Sequence, residues 1–276
     1  AGKFLLRSTP LAFSRVAPFT VDPLLRYVPS GLAMGIMYIT HLLRSLLPAS
    51  ASARDSESIS LRLSSIPVVS SPCIDEVIST GTRIDVSPGA VILMANNIKT
   101  TEDTFRLVQE MQTAASSDGG IPLLLPVDQE GGSVYRLGSG TALPGNMALG
   151  ATGSPEYARQ AAQVMGNELA AEGFNVDFAP VMDVNNNPGN PVIGVRSFSD
   201  DPALTAKMGT AFIEGLHGQN VAAALKHFPG HGDTATDSHT GLPCIYKSLD
   251  RLRSFELIPF KAGIDAGTDL IMTAHI

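Results

Sequence analysis

Between residues 90 and 274 the chain alternates short, nearly continuous apolar runs with longer amphipathic stretches, and few folds accommodate that rhythm. The apolar runs, read as strands, are residues 90–94, 121–127, 175–180, 221–225 and 269–274. Between them, residues 100–115 place Phe105, Leu107, Val108 and Met111 at helical spacing behind the capping signal Thr100-Thr101-Glu102. Ser154-Pro155-Glu156 opens a second predicted helix to about residue 172, and Asp201-Pro202 a third to about residue 218. A fourth is predicted over residues 248–266. A strand that is apolar throughout has both faces buried, so the pattern predicts a parallel sheet covered on both sides.

The polar residues fall at one end of that pattern. Asp128 follows one predicted strand, Asp183 the next, Lys226-His227 the next and His275 the last. In a (β/α)8 barrel the carboxyl ends of the strands form the rim where side chains from separate strands converge, and a barrel takes about 250 residues. An open doubly wound sheet also gathers ligands at strand ends. It would normally show a Gly-x-Gly-x-x-Gly turn for a dinucleotide; here Gly131-Gly132 runs into Ser133 and Val134.

One stretch concentrates the chemistry. The run 221–225 stops at Lys226-His227 and passes into Phe228-Pro229-Gly230-His231-Gly232-Asp233, then Asp237-Ser238-His239. Three histidines, two aspartates and a lysine in one strand end and loop are hard to explain as packing, because Lys and Asp are seldom buried unpaired. His239, two residues after Asp237, suits proton transfer: imidazole titrates near neutral pH, and a carboxylate on one ring nitrogen raises basicity at the other. A zinc site from His227, His231, Asp237 and His239 is a rival reading. It is disfavoured because His227 and His231 straddle Pro229-Gly230 and cannot share a helix face.

This stretch resembles the signature of glycoside hydrolase family 3 in its β-N-acetylhexosaminidase branch. Further matches are Val127-Asp128-Gln129-Glu130-Gly131-Gly132 with Arg136, Phe178-Ala179-Pro180-Val181-Met182-Asp183-Val184, and Gly194-Val195-Arg196-Ser197-Phe198. The resemblance implies an exo-acting, retaining β-N-acetylglucosaminidase on a (β/α)8 barrel, with His239 as acid/base and Asp237 as its partner. It implies a sugar-binding set of Asp128, Arg136, Arg196, Lys226 and His227, with Asp183 bracing the loop and His231 shaping it. The implied ligand is an N-acetylglucosamine-containing oligosaccharide from cell-wall muropeptides or chitin, and neither cofactor nor metal is expected. The family's nucleophile, an aspartate after the seventh strand, is matched by no residue here. The expectation is therefore a barrel incomplete at its C-terminal end, with an unpaired strand edge and no turnover by these residues alone. A phosphorylase of the same fold and a non-catalytic sugar-binding fragment are the alternatives.

Composition narrows the partners. A net charge of −7 without a basic stripe argues against nucleic acid. Cys73 and Cys244 match no metal or redox spacing and read as free thiols. The absence of Trp leaves sugar recognition mainly to polar groups. Residues 1–60 stand apart: Lys3, Arg7, Arg15 and Arg26 precede an apolar run over 31–43, followed by a small-residue stretch over 49–53. These resemble an export signal, although His41 and Arg44 interrupt it. The run is short for a bilayer-spanning helix of about 20 residues, so the leader's role and the choice between cytoplasm and export stay open. The domain is expected over residues 61–276.

Overall fold

The computed structural model describes residues 68–70, 89–117, 120–235, 243–274 and 276. The leader, Cys73, Asp237, His239 and His275 lie outside the described residues. Six strands are seen: β1 (Val68–Ser70), β2 (Ala90–Ile92), β3 (Pro126–Val127), β4 (Val176–Asp177), β5 (Ala222–Phe228) and β6 (Leu270–Thr273). The described strands all pair in parallel, β1 with β2 and then β3-β4-β5-β6, and an isolated parallel bridge from Ala90 to Leu124 joins the two groups. Among the described residues strand order follows chain order, without the reversal that marks a doubly wound sheet.

β3 and β4 are shorter than the apolar runs predicted, because Pro126 and Pro180 have no N–H for the ladder. A side chain carries part of the pairing instead. Asn175 Oδ1 accepts from Leu125 N at 2.7 Å, and its Nδ2 donates to Leu123 O at 2.9 Å.

Among the described residues six α-helices accompany the strands: α1 (Thr101–Ser116), α2 (Asn146–Ala151), α3 (Pro155–Glu172), α4 (Pro202–His217), α5 (Leu249–Ser254) and α6 (Leu257–Asp265). Their starts follow from local chemistry. Thr100 caps α1 by accepting from Asp103 N, and Asp201 caps α4 by accepting from Ala203 N. Pro155 and Pro202 occupy first-turn positions that need no donor, and α3 ends on Gly173 at φ 88°. The single helix expected over 248–266 is two. Pro259 cannot donate to Phe255 O as a continuous helix would require, and the chain breaks at Phe255. The short α2 is not foreseen by the sequence pattern.

Two apolar clusters lie on opposite sides of the sheet. The larger unites Ala223 and Leu225 of β5 with helix residues such as Met165, Leu169, Met208, Phe212 and Phe260. In the smaller, Val176, Phe178, Ala224 and Leu270 pack with Ile92, Leu124, Ala222 and Met272, all on strands or their extensions. Side chains alternate along a strand, so Lys226 shares the face of Ala222 and Ala224. That face carries the site. Among the described residues no helix is long and apolar enough to cross a membrane, and Cys244 is an exposed free thiol.

Candidate active site

Lys226 lies inside β5 rather than beyond its end, as the sequence pattern had suggested. A register shift between Leu225 and Phe228 against β6 falls at this point. The side chain is only 1% exposed. Burying an ammonium group without a partner is costly, and Lys226 has two: Nζ is 2.7 Å from Asp128 Oδ1 and 2.6 Å from Glu130 Oε1. Burial pulls its pKa down, but Glu130 and Asp128 outweigh that and hold it above the ordinary lysine value.

Arg196 reaches the same group from the 3-10 turn Gly194–Arg196. Its Nε donates to Glu130 Oε2 at 2.9 Å and its Nη2 to Oε1 at 2.7 Å, a two-pronged pairing. Glu130, also 1% exposed, would be raised by burial; Lys226 and Arg196 instead bring its pKa down to about 2. The segment after β3, the 3-10 turn and β5 thus supply one interlocked group of charges.

His227 points to Asp183. Nδ1 lies 2.7 Å from Asp183 Oδ2, which can only accept, so Nδ1 carries the hydrogen. Nε2 faces Arg196 Nη2 at 3.4 Å, a donor, and is left as an acceptor. The ring is the neutral Nδ1–H tautomer, in keeping with burial pushing its pKa below the usual histidine value. Asp183 is fully buried and also accepts from His227 N and His231 N. Burial raises its pKa, yet His227 and these backbone donors over-compensate and keep it below the ordinary value. Asp183 therefore ties the end of β5 to the start of the loop.

His231 is buried, with Nδ1 2.7 Å from Thr234 Oγ1. Asn190 Nδ2 donates to His231 O and to Thr234 Oγ1, and Asn187 Nδ2 to Thr234 O. Asn185 and Asn186 are partly buried at the turn between Asp183 and Asn190. Gly232 packs so close to Val184 O that a Cβ there would stand 1.8 Å from it. The base of the loop is held on several sides.

The structure thus brings together Asp128, Arg196, Lys226 and His227. Arg136 sits on the neighbouring segment, whose backbone is pinned where Gln129 Oε1 accepts from Arg136 N at 2.7 Å and Leu137 N at 3.3 Å. No described residue forms an ion pair with its guanidinium. Glu130 received no role from the sequence, although it stands two residues past Asp128 on the same face. That spacing is the signal that could have found it. No group of three or more potential metal ligands occurs among the described residues. The other aspartates near the end of the chain are elsewhere: Asp265 closes α6, and Asp269 accepts from Ala223 N and meets His217 Nε2 at 2.8 Å.

Chemically, this is a polar group with one reachable carboxylate, Asp128 at 26% side-chain exposure, beside an ammonium, a guanidinium and an imidazole acceptor. Such a set can donate to and accept from adjacent hydroxyl groups at once.

Comparison with known proteins points the same way. Residues 82–276 match the model of the glycosyl hydrolase family 3 N-terminal domain. β-Hexosaminidase A of Pseudoalteromonas piscicida is 44% identical over 212 residues, which are 74% of this chain and 35% of that protein. A family 3 β-N-acetylglucosaminidase from Paenibacillus superposes with a TM-score of 0.67 at 47% identity, covering 68% of this chain and 36% of the other. NagZ from Neisseria gonorrhoeae, solved with N-trifluoroacetyl-D-glucosamine, gives 0.64 at 34% identity, over 70% of this chain and 57% of the other. The chain thus spans between about a third and somewhat over half the length of these relatives.

Proposed function

The chain belongs to glycosyl hydrolase family 3, and we propose that it carries the sugar-binding side of an exo-acting β-N-acetylglucosaminidase. The substrate is a terminal β-linked N-acetylglucosamine on a muropeptide or chitin oligosaccharide. The observation that carries this reading is the convergence of Asp128 from the segment after β3, Arg196 from its 3-10 turn, and Lys226 and His227 from β5 in one polar group. The ligand of the Neisseria relative, an N-acylated glucosamine, supports the same class of substrate.

Within that reading, Asp128 accepts from sugar hydroxyls while Lys226 and Arg196 donate, and His227 Nε2 offers a second acceptor. Arg136 joins from the adjacent segment. His239, partnered by Asp237, protonates the leaving oxygen and then activates water. Retention needs a second group to attack the anomeric carbon. Asp183 is fully buried on His227, and Asp128 is engaged with Lys226. The nucleophile is accordingly assigned to a segment other than the described ones, and turnover to a chain that includes it. We read residues 61–276 as one domain and its sheet as six strands of a (β/α)8 barrel. Strand order along the chain and a second apolar cluster contributed by strand residues support that reading.

The test is chromophore release from an aryl N-acetyl-β-glucosaminide by the full-length protein, with and without phosphate. Release that is independent of phosphate and lost in His239→Ala is expected. Phosphate-dependent release of a sugar phosphate would make the protein a phosphorylase, and release undiminished in His239→Ala would remove the proposed acid/base.

A further inference from the structure

We infer that Glu130 is a positioning residue that fixes Lys226 and Arg196 at a set spacing for the ligand, leaving its neighbour Asp128 free to meet the sugar. The inference rests on reading this polar group as a sugar site and goes beyond it by dividing the labour between two carboxylates two positions apart.

Their surroundings differ. Both oxygens of Glu130 are used: Oε1 is shared by Lys226 Nζ at 2.6 Å and Arg196 Nη2 at 2.7 Å, and Oε2 takes Arg196 Nε at 2.9 Å. With 1% exposure it has no surface left for a ligand. Asp128 is 26% exposed and uses Oδ1 alone on Lys226; no described residue meets its Oδ2. One carboxylate faces inward and is saturated. The other is partly exposed and has acceptor capacity to spare.

Glu130 also solves an electrostatic problem. Lys226 and Arg196 converge on a single oxygen, and two cations that close repel strongly where water is excluded. Glu130 and Asp128 face the two cations directly, while the buried Asp183 acts on Arg196 and the buried Asp177, whose pKa burial raises well above the ordinary value, acts on Lys226 without a hydrogen bond to it. Remove Glu130 and the cations lose the one carboxylate they share, a loss the cluster relieves by spreading the cations apart or by losing a proton. Arginine does not deprotonate in proteins, so the proton must leave Lys226. A salt bridge that serves stability alone makes no such demand on ligand binding.

That difference supplies the experiment. Binding of N-acetylglucosamine to the full-length protein is measured by calorimetry from about pH 7 to pH 9.5, in buffers of differing ionisation enthalpy. Wild type, Glu130→Gln and Glu130→Asp are compared, with melting curves to establish folding. Wild-type affinity is expected to stay flat across this range. Glu130→Gln is expected to bind about tenfold more weakly at neutral pH, to weaken further as pH rises, and to take up a proton on binding. Glu130→Asp keeps the charge but is too short to serve both cations, so its profile stays flat at reduced affinity. A folded Glu130→Gln whose pH profile parallels wild type overturns the inference while leaving the sugar site standing. If that variant does not fold, Glu130→Asp decides: wild-type affinity overturns the inference, reduced affinity on a flat profile supports it. A wild-type protein that does not bind the sugar overturns the site reading, and the positioning role falls with it.

Discussion

Lys226 and Asp128, 98 positions apart in the chain, meet at 2.7 Å, and this contact brings the ends of β3 and β5 to one polar group. Asp128→Asn leaves Lys226 paired with Glu130, so the fold should survive with a small loss of stability. Sugar binding should suffer more, because a charge-assisted hydrogen bond contributes about 1.5–3 kcal/mol, or roughly 10- to 100-fold in affinity. Calorimetry with N-acetylglucosamine beside a melting curve separates the two effects, and an unchanged affinity would remove Asp128 from the binding set.

Lys226→Met has the opposite balance. It strips a buried cation from Glu130 and Asp128 together, and breaking a buried pair by removing one partner costs about 3–5 kcal/mol. Urea unfolding of the variant should show a loss of that size at neutral pH. A loss below about 1 kcal/mol would mean that Arg196 alone satisfies Glu130.

Acid sensitivity follows from the same group. Glu130 has an ordinary value of 4.5 unfolded and about 2 folded, so its contribution is complete above the higher value and is lost as pH falls towards the lower. The difference corresponds to about 3 kcal/mol. Asp183, also held below its ordinary value, acts in the same direction. Stability measured by denaturant should fall across this window, and Glu130→Gln should flatten part of the slope.

Gly232→Ala tests how the loop base is seated. The added methyl group would stand 1.8 Å from Val184 O, which is backbone and can retreat only by moving the strand end next to Asp183. The expected cost is about 1–3 kcal/mol, as for other overpacked sites. Because Asp183 orients His227, glycosidase activity of the full-length protein should fall by more than the stability change explains. Gly138→Ala is the control: nothing lies within 4 Å of the new methyl group, and the backbone there is not in the left-handed region.

Much of this was legible in the sequence because it rests on period and local chemistry. The apolar runs located the strands, and Thr100, Asp201, Pro155 and Pro202 marked helix starts. Pro259 held the signal for the break between α5 and α6, but the apolar periodicity on either side concealed it. β5 ran on through Lys226 and His227 because a polar residue can continue a strand when partners from other strands neutralise it, and those partners lie far away in sequence. The bidentate use of Glu130 by Arg196 is likewise a tertiary fact. Its residue type and spacing hinted at a face, but only folding showed which cations stood there.

Asn175 holds neighbouring strands together through its amide, in a place where prolines thin the main-chain bonding. Polarity is therefore specified there as tightly as shape. An isosteric Asp would set an oxygen against Leu123 O where a donor now stands, turning a stitch between two strands into a point of repulsion beneath the rim. A substitution that alters almost no volume, at a position remote from every group that touches ligand, would loosen the framework from which Asp128 projects.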